Sequence, residues 1–365
     1  MRDVSPLRVF VLSRIALWAL AALTLLAFES KLNPARGRWD SDRLHELGPL
    51  VDVWARWDSE WYLRIAEHGY TWPSSTPAFP PLYPLVVGVV GRLLGGHYLL
   101  AGVLVSLAAA AVAFVLLHRL ARARLGDAAS GRAVLYLALF PTSLFLGAVY
   151  AESLLLALAL GAFVCAERGR LGWAGILAGL AALTRVQGLA LVLPLALFAW
   201  RDVRRGRALV SGVLVPLLLF ALYPVVLALQ IGRPLAFLEA QREVWERELS
   251  PLGPLGGLAE AVAEVELVEL GFAALMLPLA VVAWRRLGAS YGLYALVALA
   301  LPMSVPSQRL GGLYSFPRLA LAAFPCFLAL AVLGRSRRVH VTVVAVLATC
   351  LAVFVVRWSL WYWVA

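Results

Sequence analysis

Apolar runs of about twenty residues, separated by short arginine clusters, recur along most of this chain. Runs of that length cross a bilayer as helices. Backbone surrounded by lipid must satisfy its own hydrogen bonds, which leaves only helices or closed barrels. A barrel would show weak ten-residue alternation, whereas these runs are continuous. The expectation is an all-α polytopic membrane protein. Composition agrees: 62% of residues are hydrophobic and 15% charged, against roughly half and a quarter in soluble domains.

The formal net charge of +11 suggests a nucleic-acid partner until its placement is read. The arginines gather between apolar runs, as the positive-inside rule expects, so no nucleic acid is assigned. The predicted spans are 10–28, 98–120, 132–148, 150–166, 171–184, 187–200, 208–230, 267–284, 289–304, 317–333 and 341–361, about eleven in one membrane domain covering 1–365. Cytoplasmic turns then hold Arg119, Arg122 and Arg124; Arg168 and Arg170; Arg201, Arg204, Arg205 and Arg207; Arg285 and Arg286; and Arg335, Arg337 and Arg338. The first span is read as an uncleaved helix preceded by Arg2 and Arg8, with Arg14 snorkelling to its inner end. The pair meeting at Thr184–Arg185 is short and reads as a broken re-entrant hairpin.

Two extracytoplasmic loops follow, 29–97 and 231–266. In the first, 84–94 is apolar but short and broken by Gly88, Gly91 and Arg92, so it reads as an interfacial helix. The second loop is rich in glutamate and reads as a solvated helix. Three cysteines (Cys165, Cys326, Cys350) lie in apolar runs without CxxC spacing, so neither a disulfide framework nor a thiolate metal site is expected. Five scattered histidines without HExxH make a catalytic zinc site unexpected.

The chemistry is expected in Trp54–Leu85, the longest stretch a bilayer could not hide. Asp58 opens a helical pattern, with Trp57, Trp61 and Ile65 on one face and Gly69 as the stop. Asp58 reads as an N-cap and, compatibly, as an acid at an exposed helix entrance. A second WDS triplet at Trp39-Asp40-Ser41 makes Asp40 a rival. Phe79-Pro80-Pro81-Leu82-Tyr83-Pro84 is too proline-rich for a helix interior and forms a stiff wall. Phe140-Pro141-Thr142-Ser143 and Tyr150-Ala151-Glu152-Ser153 bracket an outer turn. Glu152, Arg185 and Arg318 fall at the outer membrane edge, where an ionised group requires a partner or a polar cavity. An ion pair and a phosphate site are equally compatible with the arginines.

The motifs WDSEWYLRIAEHGY, AFPPLYPL, LFPTSLFLGAVYAESLLL, LTRVQGL and SFPRLALAAFP, in order from Trp54 to Pro325, resemble the PIG-V mannosyltransferases. That family includes the enzyme adding the second mannose of the GPI anchor and bacterial relatives. It belongs to the GT-C class of polytopic, inverting glycosyltransferases that use polyprenyl-phosphate sugars. One departure is Pro80, where relatives commonly carry an aromatic.

The resemblance implies a GT-C-like fold and mannose transfer from a polyprenyl-phosphate-mannose donor to a glycan or lipid-linked acceptor at the extracytoplasmic face. It implies Asp58 as catalytic base. The matching motifs supply Trp57, Trp61, Arg64, Tyr70, Phe79, Tyr83, Glu152, Arg185, Gln187 and Arg318 as substrate-binding candidates, the two arginines for donor phosphate. No cofactor is required. If the site takes Mg²⁺ or Mn²⁺, Asp40, Asp58 and Glu152 are the available oxygen ligands. Lys31 is the single lysine; this arginine bias points to a GC-rich bacterial genome, hence to a bacterial cell membrane and an acceptor other than a GPI precursor. The alternatives are a lipid or sugar transporter and a non-catalytic scaffold of the same fold. The first should show internal repeats, of which none is evident; the second is compatible with any sequence of this fold.

Overall fold

The structure is a computed structural model that describes residues 5–202 and 205–365. Arg2 and Arg204, assigned above to cytoplasmic ends, lie outside the described residues. Every named element among the described residues is helical, and pairing between extended segments is limited to isolated bridges at Arg247–Ser307 and Ser307–Gly311.

Among the described residues, five helices are long and apolar enough to cross a bilayer: Pro6–Phe28, Tyr98–Leu125, Gly206–Ile231, Leu267–Leu287 and Arg337–Ser359. A sixth is counted if Phe316–Ala322 and Pro325–Leu333, bent by 87°, form one span. The apolar runs had suggested about eleven. The difference lies in the breaks. Run 132–148 is a helix only to Leu139 and then yields at Phe140-Pro141, with a 3-10 turn at Ser143–Leu146 before the helix Glu152–Glu167. Proline removes a helix donor and turns the preceding residue away from helical geometry. Leu171–Thr184 has 14 residues, a rise of about 21 Å against a hydrocarbon core of about 30 Å. Arg185 is extended (φ −154°, ψ 142°) and a 3-10 turn follows, so the expected break at Thr184–Arg185 is present.

The chain forms two compact units. The first comprises 1–68, 83–154 and 330–364. In it the helices Pro6–Phe28, Tyr98–Leu125, Asp127–Leu139 and Arg337–Ser359 pack together. Gly102 lets the chain approach closely: a Cβ there would lie 2.6 Å from Val149. Leu82–Leu93 is a separate 12-residue helix, as the broken run predicted. Gly88 lies on the Ala66 carbonyl, 2.6 Å from where a Cβ would sit, so this helix rests on Ser59–His68. Arg14 does not snorkel. It is buried, and its Nη1 donates to the Ser143 carbonyl at 2.7 Å. A guanidinium inside a packed helix group needs such an acceptor.

The second unit comprises 69–82 and 155–329, with residue 365. Gly206–Ile231 contains a π-helical turn at Val210–Leu214. Here Gly175 meets Ser211 so closely that a Cβ would sit 1.7 Å from its carbonyl oxygen. The segment 231–266 is more than a solvated helix. It forms two helices, Ala236–Glu243 and Pro254–Ala263, and the chain between them is stitched to 304–308. Ser250 N donates to Ser304 O at 2.9 Å, Gln308 N to Glu246 O at 3.0 Å, and Ser307 Oγ to Trp245 O at 2.8 Å. Glu266 closes the other side, accepting from Gly312 N at 2.6 Å and Leu313 N at 3.0 Å.

Burial raises the pKa of Glu266; the two N–H donors oppose this, and Glu269 and Glu264 add to it. A carboxyl whose folded pKa is raised stabilises most below its unfolded value, and that contribution fades as pH rises through the folded value. Glu266→Gln removes the titration. The melting temperature of the wild type relative to Glu266→Gln is therefore expected to fall from about pH 4.5 upward. A difference that stays flat, or rises, between pH 4 and 8 contradicts this.

Candidate active site

Asp58 sits at the head of the helix Ser59–His68, as its sequence pattern predicts, and Gly69 ends that helix with φ +78°. The Asp58 carbonyl accepts from Trp61 N and Tyr62 N at 3.1 and 3.3 Å, which is N-cap geometry. Asp58 is buried, 9% exposed, and not at the exposed helix entrance that the sequence suggested. The preceding residue, Trp57, has φ +56°. For a bulky side chain this is a true outlier, costing roughly 1–3 kcal/mol unless the surroundings hold it.

The surroundings do hold it, all within the first unit. Trp54 O accepts from Val149 N at 2.9 Å. Ser59 Oγ accepts from Arg56 N at 3.1 Å and donates to Val149 O at 3.2 Å. The Tyr150 hydroxyl accepts from Asp58 N at 3.1 Å and donates to Arg56 O at 3.0 Å. From the far end of the chain, Trp358 Nε1 donates to Val53 O at 2.7 Å. The Arg56 guanidinium lies 4.1 Å from the Trp361 ring centre. Burial pushes Arg56 down to about 9, with Asp40 opposing, so it stays charged at neutral pH.

Asp40, in the other WDS triplet, is differently placed. It is half-exposed and lies 2.6 Å from His45 Nε2. The two triplets therefore differ in environment: one acid buried at a helix head, the other in a surface pair.

The remaining candidates separate by unit. In the first, Trp57 contacts Trp39, Trp361 and Trp363 through its ring. Arg64 pairs with Glu60 one turn earlier at 3.1 Å and lies over Trp61. Glu60 also accepts from Ser41 and Arg43, so this face of the helix is tied to 41–43. Tyr83 is fully buried; its hydroxyl meets Ser106 at 2.8 Å and Gly102 O at 3.2 Å, and its ring is edge-on to Tyr62. The structure gives Tyr83 a packing role in place of the open groove wall expected from the sequence. Glu152 is buried at the start of its helix.

In the second unit, the Tyr70 hydroxyl donates to Phe79 O at 2.7 Å, and Phe79 meets Trp245 edge-on. Arg318 is buried in the short helix Phe316–Leu319, directly after Ser315 with φ +67°. Its Nη2 lies 3.4 Å from Ser315 Oγ. Gln187 Nε2 donates to Ala298 O at 3.1 Å and Leu319 O at 3.5 Å. LTRVQGL and SFPRLAL thus meet through Gln187, while Arg185 occupies the extended break beside it. Among the described residues, no group of three or more His, Cys, Asp or Glu side chains is arranged to hold a metal ion.

The sequence profile described as Mannosyltransferase (PIG-V) matches residues 6–201, more than half of the chain. This protein belongs to the PIG-V mannosyltransferase family. Among curated relatives, the GPI alpha-1,6-mannosyltransferase 2 of Mus musculus is 37% identical over 150 residues, covering 38% of this chain and 30% of that protein. The Rattus norvegicus protein of the same name is 37% identical over 159 residues, 39% of this chain and 31% of its own. The chain thus matches about a third of the length of these relatives. Among solved structures, ArnT from Cupriavidus metallidurans bound to undecaprenyl phosphate superposes with TM-score 0.55 at 20% identity, covering 93% of this chain and 63% of ArnT. Its apo form gives 0.53 at 19%, covering 92% and 60%. The likeness shows that this chain shares the fold of ArnT.

Within this PIG-V chain, the family match contains every candidate named above except Arg318, which lies beyond residue 201. The sequence pattern placed Tyr150 in a motif without giving it a role, and did not single out Arg56, Trp358 or Trp361. The signal for the last two was present in the C-terminal run RWSLWYW, whose aromatic density exceeds what a membrane span needs.

Proposed function

We propose that this protein is an inverting glycosyltransferase that moves mannose from a polyprenyl-phosphate donor to a glycan or lipid-linked acceptor at the extracytoplasmic face of a bacterial cell membrane. The observation that carries the reading is the fixed position of Asp58, buried at the head of its helix within the family's matched region. In the proposed step Asp58 takes the proton of the acceptor hydroxyl. That oxygen attacks the anomeric carbon, the bond to the phosphate oxygen breaks, and configuration inverts. The departing polyprenyl phosphate keeps the electron pair, and its charge is assigned to Arg318 and Arg185. The structure of ArnT with undecaprenyl phosphate supports a polyprenyl-linked donor for this fold. Substituting Asp58, treated in the Discussion, tests the chemistry.

The sidedness has its own test. Ser75 in the first outer loop is buried, whereas Thr71 is exposed. In a background with Cys165, Cys326 and Cys350 replaced, Thr71→Cys is expected to react with a membrane-impermeant thiol reagent on intact cells. Labelling seen only after lysis reverses the topology.

A further inference from the structure

We propose that Tyr150 is a positioning residue for Asp58, its hydroxyl bridging the two peptide groups that flank Trp57. The inference rests on Asp58 being the base. Tyr150 is fully buried, so it acts through the turn and does not touch substrate. Its ring is locked edge-on by Phe145 and Trp358, at 4.9 and 5.8 Å between centroids, with Tyr62 at 6.0 Å. That leaves the hydroxyl one orientation, over residues 56–58.

A hydroxyl can donate once and accept as well, and here both capacities are used on the same turn. It receives the Asp58 amide and gives its proton to the Arg56 carbonyl. The Arg56 carbonyl has a second donor, Ser59 N at 3.1 Å. Removing the Tyr150 hydroxyl therefore bears mainly on the Asp58 amide. The peptide links on both sides of Trp57 are held across a positive φ that an unrestrained tryptophan leaves. Rotation there swings the Asp58 side chain about its own backbone. A displacement of about 1 Å at a reacting group costs on the order of 10²-fold in rate. Tyr150 and Glu152 lie in one short motif, YAES, so that motif supplies support to Asp58 from its first residue.

The test is Tyr150→Phe, which keeps the ring packing and removes only the hydroxyl. The assay uses a radiolabelled short-chain polyprenyl-phosphate mannose as donor and a lipid extract of the source cells as acceptor pool. The expected result is kcat lowered about 10- to 100-fold, with donor KM within about twofold. Amide exchange in the peptide spanning residues 56–60 should quicken by mass spectrometry, a readout independent of substrate. Tyr136→Phe is the control: it removes a buried hydroxyl that meets His340 Nδ1 at 2.8 Å in the same unit. It should match Tyr150→Phe in any loss of melting temperature and keep its kcat. In the double variant Asp58→Asn/Tyr150→Phe, kcat should equal that of Asp58→Asn alone, since a residue acting through Asp58 has nothing further to remove.

Normal kcat in Tyr150→Phe beside an inactive Asp58→Asn overturns this inference alone. So does a double variant whose losses multiply, or a control that loses kcat equally. Normal kcat in Asp58→Asn overturns the base assignment itself, and this positioning role with it.

Discussion

Asp58→Asn is expected to lower kcat about 10²–10⁴-fold, the usual cost of removing a general base, while leaving the fold intact. Asparagine has nearly the volume of aspartate and is an equally good N-cap. The contacts that hold the turn run through the backbone of residue 58 and through Arg56 and Ser59, so they survive the exchange. Asp58→Ala is the poorer experiment, because it mixes cap loss with base loss. The comparison is Asp40→Asn. Asp40 pairs with His45 at the surface, and an exposed pair of this kind contributes at most about 1 kcal/mol. Its loss should leave kcat near normal. If Asp40→Asn abolishes turnover and Asp58→Asn does not, the earlier WDS triplet carries the base. If neither matters in folded protein, the chemistry lies elsewhere.

Arg318→Ala should raise donor KM roughly 10- to 100-fold, the equivalent of losing one hydrogen bond to a charged group at about 1.5–3 kcal/mol. Arg318→Lys should recover part of it, because an ammonium keeps the charge and loses the planar fork. The placement that motivates this is a buried guanidinium in a short helix, entered through a residue at φ +67° and joined to the 185–191 turn by Gln187. Unchanged donor KM with a collapsed melting temperature would instead make Arg318 a purely structural residue. The two experiments are separable, since one reads turnover and the other donor affinity.

Much of the molecule was written in local pattern. The Asp58 helix, its stop at Gly69, the short separate helix, which begins at Leu82 inside the predicted proline wall, and the break at Arg185 are all features of residues adjacent in sequence. Side-chain period and proline or glycine chemistry act over a few residues, so they can be read directly. The breaks within the apolar runs could not be read so directly. Apolarity is the same whether a helix faces lipid or protein, and Phe140-Pro141 and Pro325 cut runs whose composition is continuous. Arg14 was misread for a related reason: its acceptor, Ser143, is 129 residues away. The support for Asp58 from Tyr150 and Trp358 was hidden likewise, since no local rule couples residue 58 to residues 150 and 358. In the segment 231–266 the signal was incomplete. Its glutamates suggested solvation, yet Glu266 is spent on the Gly312 and Leu313 amides.

The indole of Trp358 donates to Val53 across 305 residues, and Asn33 is tied to Leu360 and Trp361. These contacts have a consequence for biogenesis. At about 5–20 residues per second of synthesis, the loop leading to Asp58 waits roughly 15–60 seconds for the helix Arg337–Ser359 to emerge. Throughout that interval the residues of the second unit are being made and inserted, while the first loop lacks its final supports. A chain whose synthesis has not yet reached Arg337–Ser359 therefore lacks the Trp358 donor to Val53 and the Leu360 and Trp361 partners of Asn33.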